Sequence, residues 1–423
     1  MSIYLKSIHI KKLFHLSGID INVCEAGKMK HLLITGPNGT GKTLLLGAIV
    51  DYLEKIAKDP DLLFLNYEKY LKDNERLLAS AKTNEERIKW QKGVEYWTKR
   101  IENLSGKVSL SLNEVELLPK AISDKQFLLA YYGDQRRSEF KEVKNPEKPN
   151  LEYSDIKVNK VGEFIKFLVD LKVQRALADG ENAKEYAHEI DEWFGVFQNI
   201  LRRLFEDDEL NLEFDFKTYA FYIHSYGKKF KFTELSAGYS AALDIIVDLI
   251  LKMQGKDKLK RAFNTPGIVM IDEIETHLHL KMQREILPLL TTLFPHIQLI
   301  VTTHSPFVLN SLNNAVAYDL LRHEVISDLT DYSYDALAEG YFGVELASGK
   351  LLESVARFEE LSQKSSLSLL EKDELKNIES DLDKVPDAVA PTIKERYYAA
   401  LAVMPNTRKE FQPYRSKKFF CNQ

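Results

Sequence analysis

The stretch Gly36-Pro37-Asn38-Gly39-Thr40-Gly41-Lys42-Thr43 constrains this chain more than any other. A mostly apolar run, His31-Leu32-Leu33-Ile34-Thr35, precedes it, and Leu44-Leu45-Leu46-Gly47-Ala48-Ile49-Val50 follows. A buried strand, a glycine turn and an amphipathic helix are therefore predicted in the order that a phosphate-cradling loop needs. Gly36, Gly39 and Gly41 can take backbone conformations closed to residues with a Cβ, so successive N–H groups can turn inward on an anion. The helix opening near Gly41 adds the positive end of its dipole. Lys42 is then placed to reach β- and γ-phosphates, and Thr43 to offer its hydroxyl to Mg2+. This stretch predicts a site for a nucleoside triphosphate.

The rest of the chain has to be arranged around that unit. With 423 residues, two or three domains are expected, or one domain with large insertions. A net charge of −5 gives no global attraction to nucleic acid or anionic lipid, so such contacts would need a local patch. Cys24 and Cys421 lie almost at opposite ends, with no CxxC pair, which argues against zinc and fits a reducing compartment. The longest apolar run, residues 243–251, is interrupted by Asp244 and Asp248 and is too short and too charged to span a bilayer. No secretory core is read near Met1. The expectation is a cytoplasmic protein without membrane contact.

Upstream of the loop, residues 3–23 alternate well enough for two strands, with Ser17-Gly18 as the turn between them. Asp59-Pro60 stops the helix that follows the loop. Residues 61–106 read as an inserted helical hairpin, in which Thr83-Asn84-Glu85-Glu86 has the capping-box pattern. Strand patterns return at 107–112 and 126–132, and the polar stretch 141–159 reads as a loop. Helices are predicted at 161–179 and 184–205, the first with an apolar stripe suited to packing. Short strands at 211–217, 219–224 and 228–232 follow, with Tyr226-Gly227 as a turn. A helix then opens at Leu235-Ser236-Ala237-Gly238-Tyr239-Ser240 and runs to residue 254. Buried strands at 268–272 and 297–302 flank a helix over 280–293 that Pro288 kinks or bounds.

Acids end the first of those two strands. Four apolar residues, Ile268-Val269-Met270-Ile271, place Asp272 at the C-terminal edge, where its carboxylate can hold Mg2+ directly or through water. Glu273 beside it suits the task of orienting and deprotonating an attacking water. His304 ends the next apolar strand, where a neutral imidazole can contact a γ-phosphate or hold the water and Glu273 in line. Ser236 and Gly238, at a helix start, make a second anion-binding terminus. One phosphate loop does not need two, so this terminus is assigned to a different nucleotide.

Taken together, residues 36–43, residues 235–240, Asp272-Glu273 and Val301-Thr302-Thr303-His304-Ser305-Pro306 resemble the ABC-type ATPase set, in that family's order. The run Asp272-Glu273-Ile274-Glu275-Thr276-His277-Leu278-His279 resembles the SMC-, RecF- and OLD-like branch more than a transporter subunit. The resemblance covers residues 1–320. It implies an α/β fold: a P-loop ABC-ATPase head with a mixed sheet, helical insertions and a helical C-terminal extension. The half-heads would be residues 1–60 with 107–140, and residues 207–320. The insertions would be the helical segment 61–106 and the loop and helical hairpin 141–206. Residues 321–423 would be the helical C-terminal region, with partner or assembly contacts.

The same resemblance implies ATP hydrolysis with Mg2+ in a head-to-head homodimer or higher homo-oligomer. Two ATP molecules would be sandwiched between one protomer's Lys42, Thr43, Asp272, Glu273 and His304 and the other's Ser236 and Gly238. Gln135, in Tyr132-Gly133-Asp134-Gln135-Arg136-Arg137, would be the Q-loop residue facing nucleotide and Mg2+, with Arg136 and Arg137 as alternatives for the nucleotide-facing position. The signature departs from LSGGQ or LSGGE, since Ala237 replaces the first glycine and Tyr239 the polar fifth residue. Slow turnover, or a dimer geometry biased by a partner, is the implied result. His277 and His279 are read as D-loop and dimer-interface residues rather than metal ligands.

OLD-type nucleases continue into a Toprim domain, which needs a glutamate on one strand and a DxD pair on another. Residues 315–423 have no such strand pattern and read as charged helices at 351–361, 371–382 and 392–403. The last residues mix Arg408, Lys409, Arg415, Lys417 and Lys418 with Phe411, Tyr414, Phe419 and Phe420, which suits nucleic acid, a docked partner or a frayed tail equally. An ATPase of this size without a nuclease domain or a long coiled coil most resembles those of bacterial anti-phage modules of the Septu (PtuA-like), retron-associated or PARIS type. That likeness implies an ATP-held assembly regulating a separately encoded effector, a nuclease. The alternatives are a RecF-like DNA-repair clamp, with DNA as partner, and a weakly hydrolysing, nucleotide-stabilised scaffold. A transporter subunit is disfavoured by the helical insertions.

Overall fold

The computed structural model of the chain describes residues 3–24, 27–136, 139–152, 155–254, 263–326, 349–364, 366–385 and 391–403. They belong to two compact units, Met1–Tyr332 and Ser333–Gln423. In the first unit β1 (Leu5–Leu13) and β2 (Leu16–Asn22) form a hairpin, which pairs through β1 with β4 (Val108–Leu112). The turn is Phe14-His15, not Ser17-Gly18, which lie inside β2. The observed register sets Ile8 against Ile21 and Ile10 against Ile19, all buried. A turn centred on Ser17-Gly18 would instead have set Ile21 opposite Phe14, which is exposed, and lost that apolar pairing.

The sheet that carries the glycine loop has six strands. At its centre β3 (His31–Thr35) lies between β10 (Ile297–Thr302) and β11 (Ala315–Asp319), parallel to both. Beyond β10 come β9 (Gly267–Ile271) and β5 (Leu128–Tyr132), also parallel, and β12 (Glu324–Ile326) closes the other edge antiparallel to β11. Every residue of β3, β9 and β10 is buried, which is why these segments read as near-continuous apolar runs. The sheet thus runs past residue 320, and residues 321–326 belong with it rather than with the C-terminal helices.

Helix α1 (Lys42–Ala57) follows the glycine loop and buries Leu45, Leu46, Ile49, Leu53 and Ile56. These side chains share one core with Ile8 and Ile10 of the small sheet and with Leu32, Met270 and Ile300 of the large one. Burial of that size, about 1.5–3 kcal/mol per large aliphatic side chain, holds the loop at the joint between two sheets. The hairpin of α2 (Tyr67–Ala79) and α3 (Asn84–Ser105) is present as expected, and the Thr83–Glu86 capping box is formed. Trp97 packs on Tyr67 and Tyr70 across that hairpin. After the short α4 (Leu118–Ser123), α5 (Phe164–Gly180) and α6 (Lys184–Phe205) enclose an aromatic cluster of Phe164, Trp193, Phe197 and Phe232. An antiparallel sheet of β6 (Asn211–Asp215), β7 (Ala220–Ser225) and β8 (Lys228–Lys231) follows.

Helix α7 (Ala237–Met253) is buried from Ala241 onward. Its Asp248 and Lys252 pair at 2.8 Å with both side chains fully buried, and Tyr132 at the end of β5 donates to Asp248 at 2.7 Å. Helix α8 (Leu280–Leu293) contains Pro288 within its span, so that proline does not bound it. The short α9 (Pro306–Leu309) is capped by Ser305. In the second unit α10 (Gly349–Gln363), α11 (Leu369–Lys384) and α12 (Pro391–Val403) occupy the three stretches expected to be helical. They share a core of Val355, Phe358, Leu382, Ile393 and Tyr397. Arg137 and the basic–aromatic residues 408–420 lie outside the described residues.

Candidate active site

The chain leaves β3 through a loop whose glycines are all left-handed: Gly36 at φ 136°, Gly39 at 84° and Gly41 at 95°. A Cβ on Gly36 would come 3.0 Å from Thr40 Oγ1 and 3.6 Å from Asp319 Oδ1, so that position is closed by space as well as by conformation. Thr40 is buried and donates to the Pro37 carbonyl at 2.9 Å, which closes the loop, while Pro37, Asn38 and Gly39 are exposed. Lys42 is also buried, and its Nζ donates to the carbonyls of Gly36 (2.9 Å) and Pro37 (3.2 Å). Burial lowers the Lys42 pKa, while Glu273, Glu275, Asp272 and Asp319 pull it the other way. Thr43 is exposed in the first turn of α1.

Because β3, β10 and β9 are parallel neighbours, their C-terminal ends line up along one edge. Asp272, just past β9, is 1% exposed. Its Oδ1 accepts from Thr302 Oγ1 at 2.5 Å, and its Oδ2 has no hydrogen-bond partner. Glu273 is half-buried, with φ at 44°. Its N–H donates to Thr302 Oγ1 at 2.8 Å, and its carbonyl accepts from Arg136 Nη2 at 2.6 Å. Glu275 accepts from Thr303 Oγ1 at 2.8 Å and from the His304 N–H, which places His304. Burial raises the Glu275 pKa, and the charge of Glu273 adds to the rise. The His304 pKa is lowered, first by burial and then by the Lys42 ammonium, with Asp272 opposing. His304 is therefore neutral near pH 7, and its buried Nε2 has no partner.

Lys42, Asp272, Glu273 and His304 are thus brought together. Ser236 and Gly238 stand apart from them. Ser236 is exposed at the start of α7, and a Cβ on Gly238 would meet the His277 carbonyl at 3.0 Å. Among the described residues no hydrogen bond joins either to the Lys42 cluster of the same protomer. Tyr239 stacks on Phe205 of α6, with centroids 4.2 Å apart and planes 9° apart. His277 is exposed, and His279 Nδ1 accepts from the Met282 N–H as the cap of α8. Gln135 is exposed, and its N–H bonds Asp134 Oδ1, whereas the neighbouring Arg136 is buried.

Thr302, Glu275 and Asp319 also belong to the site, although no motif in the sequence singles them out. Thr302 and Glu275 lie inside the motifs that were read, but their bonds to one another's segments are tertiary. Asp319 ends β11, a strand that was not read. The donor set fits a hard divalent cation such as Mg2+: a buried carboxylate oxygen without a donor on Asp272, and an exposed hydroxyl on Thr43. Among the described residues no group of three or more His, Cys, Asp or Glu side chains is arranged to hold a metal by itself.

The family described as "AAA domain, putative AbiEii toxin, Type IV TA system" matches residues 32–310, well over half of the chain and the whole stretch from β3 to α9. The chain belongs to this family. Its AAA domain implies nucleotide binding, in keeping with the loop at residues 36–43. The chain is similar to the Septu protein PtuA of Bacillus mycoides (strain KBAB4), 25% identical over a 408-residue alignment that covers 90% of this chain and 50% of that protein. It is also similar to the Retron Vc95 probable ATPase of Vibrio cholerae serotype O1 biovar El Tor, 33% identical over 113 residues, 26% of this chain and 21% of that one. The chain spans about half the length of that Septu relative. Among solved structures, an SMC head domain from Thermotoga maritima is 16% identical, covers 75% of this chain and 94% of its own, and has a TM-score of 0.34. No helix among the described residues is long and apolar enough to cross a membrane.

Proposed function

We propose that the chain is a cytoplasmic ATPase that closes into a homodimer or larger homo-oligomer around ATP and regulates a separately encoded effector, a nuclease, in bacterial anti-phage defence. One observation carries the catalytic part of this reading. Lys42, Asp272 and His304 meet at the edge of three adjacent parallel strands, with an unpartnered carboxylate oxygen and an unpartnered neutral imidazole nitrogen among them. The defence assignment is supported by the likeness to the Septu and retron relatives.

In this reading the N–H groups of Gly36 and of residues 38–41 cradle the phosphates and Lys42 binds the terminal ones. Thr43, Asp272 and Gln135 are the groups that would hold Mg2+, which when bound screens the phosphate charge. Glu273 takes the proton of the attacking water. His304 offers Nε2 to that water or, as its N–H tautomer, to the γ-phosphate. The exposure of Ser236 supports its use, with Gly238, on the nucleotide of a second protomer. A second reading, a weakly hydrolysing scaffold, is favoured by Ala237 and by the stacking of Tyr239 on Phe205, which occupies the side chain at the signature's polar fifth position.

The test is the mass of the purified protein with and without ATP·Mg2+, for wild type and Glu273→Gln, with phosphate release followed in the same samples. The ATPase reading expects wild-type turnover and a Glu273→Gln protein locked by ATP in a dimer or larger species. Mass that ignores nucleotide, together with no phosphate release from wild type, would replace it with the scaffold.

A further inference from the structure

The φ of 44° at Glu273 is a conformation that a residue with a side chain adopts only where its surroundings enforce it. Both of its backbone polar groups are held. Thr302 Oγ1 takes the N–H at 2.8 Å, and Arg136 Nη2 donates to the carbonyl at 2.6 Å and to the next carbonyl, Ile274 O, at 3.2 Å. Arg136 is 8% exposed, and its Nε and Nη1 have no hydrogen-bond partner. The guanidinium is therefore withdrawn from solvent, and among the described residues it directs its hydrogen bonds at this backbone alone. Burial is the larger effect on its pKa, which it lowers, and the charges of Asp244, Glu275 and Asp272 offset part of that cost.

We propose that Arg136 is a positioning residue which, together with Thr302, clamps the backbone of Glu273 so that its carboxylate stays at the strand edge. Arg136 does not face the nucleotide in this arrangement, and the exposed Gln135 beside it is left for that. The clamp also joins two segments distant in sequence. A shift of residues 133–136, which follow β5, reaches Glu273 through one guanidinium. The proposal rests on the ATPase reading above, with Glu273 as the base.

The experiment compares wild type, Arg136→Ala and Arg136→Lys in steady-state ATP hydrolysis, with and without added methylguanidinium. Amide exchange of residues 273–276 is measured in the nucleotide-free proteins. A misplacement of the base by an ångström lowers kcat about 10²-fold, and the ATP KM should change by less than about threefold if no nucleotide contact is lost. Methylguanidinium should restore part of kcat in Arg136→Ala and leave wild type and Glu273→Gln unaffected. Exchange at 273–276 should rise in Arg136→Ala and fall back with methylguanidinium. Arg136→Lys keeps the charge, but its side chain is one bond too short to bring a nitrogen to the place of Nη2, so it should lose kcat with KM retained even if Arg136→Ala does not fold. A raised KM with kcat kept would overturn the proposal in favour of a nucleotide contact, and unchanged kcat and exchange would overturn it outright. If wild type releases no phosphate, the ATPase reading falls, and the exchange data alone decide for or against the clamp.

Discussion

Thr302→Val isolates the node on which the acidic edge depends. The side chain is fully buried and its hydroxyl does two jobs, donating to Asp272 Oδ1 at 2.5 Å and accepting the Glu273 N–H at 2.8 Å. Valine has the same shape, so no cavity opens, but the half-buried Glu273 N–H and a buried carboxylate oxygen both lose their partner. Each such group costs about 1–3 kcal/mol, and the charged one lies at the upper end, so the loss should be about 4 kcal/mol. Thr302→Ser keeps the hydroxyl and gives up one methyl, about 1 kcal/mol. The gap between the two variants, about 3 kcal/mol, is the quantity to measure, because it sets loss of the hydroxyl against loss of the methyl beside it. Guanidinium unfolding followed by tryptophan fluorescence reads the right unit, since Trp90, Trp97 and Trp193 all lie before Tyr332. Two variants within 1 kcal/mol of each other would refute the node, whatever their activity.

Gly36→Ala should weaken ATP binding at least tenfold, because its Cβ would sit 3.0 Å from Thr40 Oγ1 at a φ of 136°; a titration with a fluorescent ATP analogue that shows unchanged affinity would contradict this. His31 is buried, its Nδ1 accepts the Leu299 N–H at 3.1 Å, and burial lowers its pKa from 6.5 to about 4. The unfolded chain therefore takes up this proton at a higher pH than the folded one. The contribution is fully present above pH 6.5 and is lost as pH falls toward 4, about 3 kcal/mol in all. His31→Asn keeps an acceptor without that proton uptake and should flatten the fall of unfolding free energy across the window; equal slopes for the two proteins would exclude His31 as a source.

The central part of the site was legible because its signals are local. A strand, a glycine turn and a helix in sequence specify residues 31–57, and two apolar runs ending in Asp272-Glu273 and His304 specify β9 and β10. What escaped the sequence depends on pairing at a distance. β11 has only five residues, three of them Ala315, Ala317 and Asp319, and becomes a strand, buried over its last three residues, because β3 lies beside it. Asp319 escaped with it. The β1–β2 turn was misplaced because Ser17-Gly18 carries the ordinary turn chemistry, while the actual turn puts Phe14 at φ 56°, a conformation imposed by the isoleucine register on either side. Gln135 and Arg136 could not be told apart by composition. Burial separates them, and it comes from the carbonyls that Glu273 and Ile274 turn toward Arg136.

The strand order has a bearing on how this chain is made. Residue 35 ends β3, yet both strands that flank it lie beyond residue 296. At a synthesis rate of 5–20 residues per second, β3 waits roughly 15–50 s on the ribosome for its first neighbour. During that time its apolar faces and its ladder of N–H and C=O groups have no native partner in the sheet. The α2–α3 hairpin is a local contact and can form early. The parallel sheet cannot, so the phosphate loop takes its final form among the last events of folding. Nascent chains of this protein are thus held open at β3 and the glycine loop after it until nearly all of the first unit has emerged, and a strand-binding chaperone would find its target there.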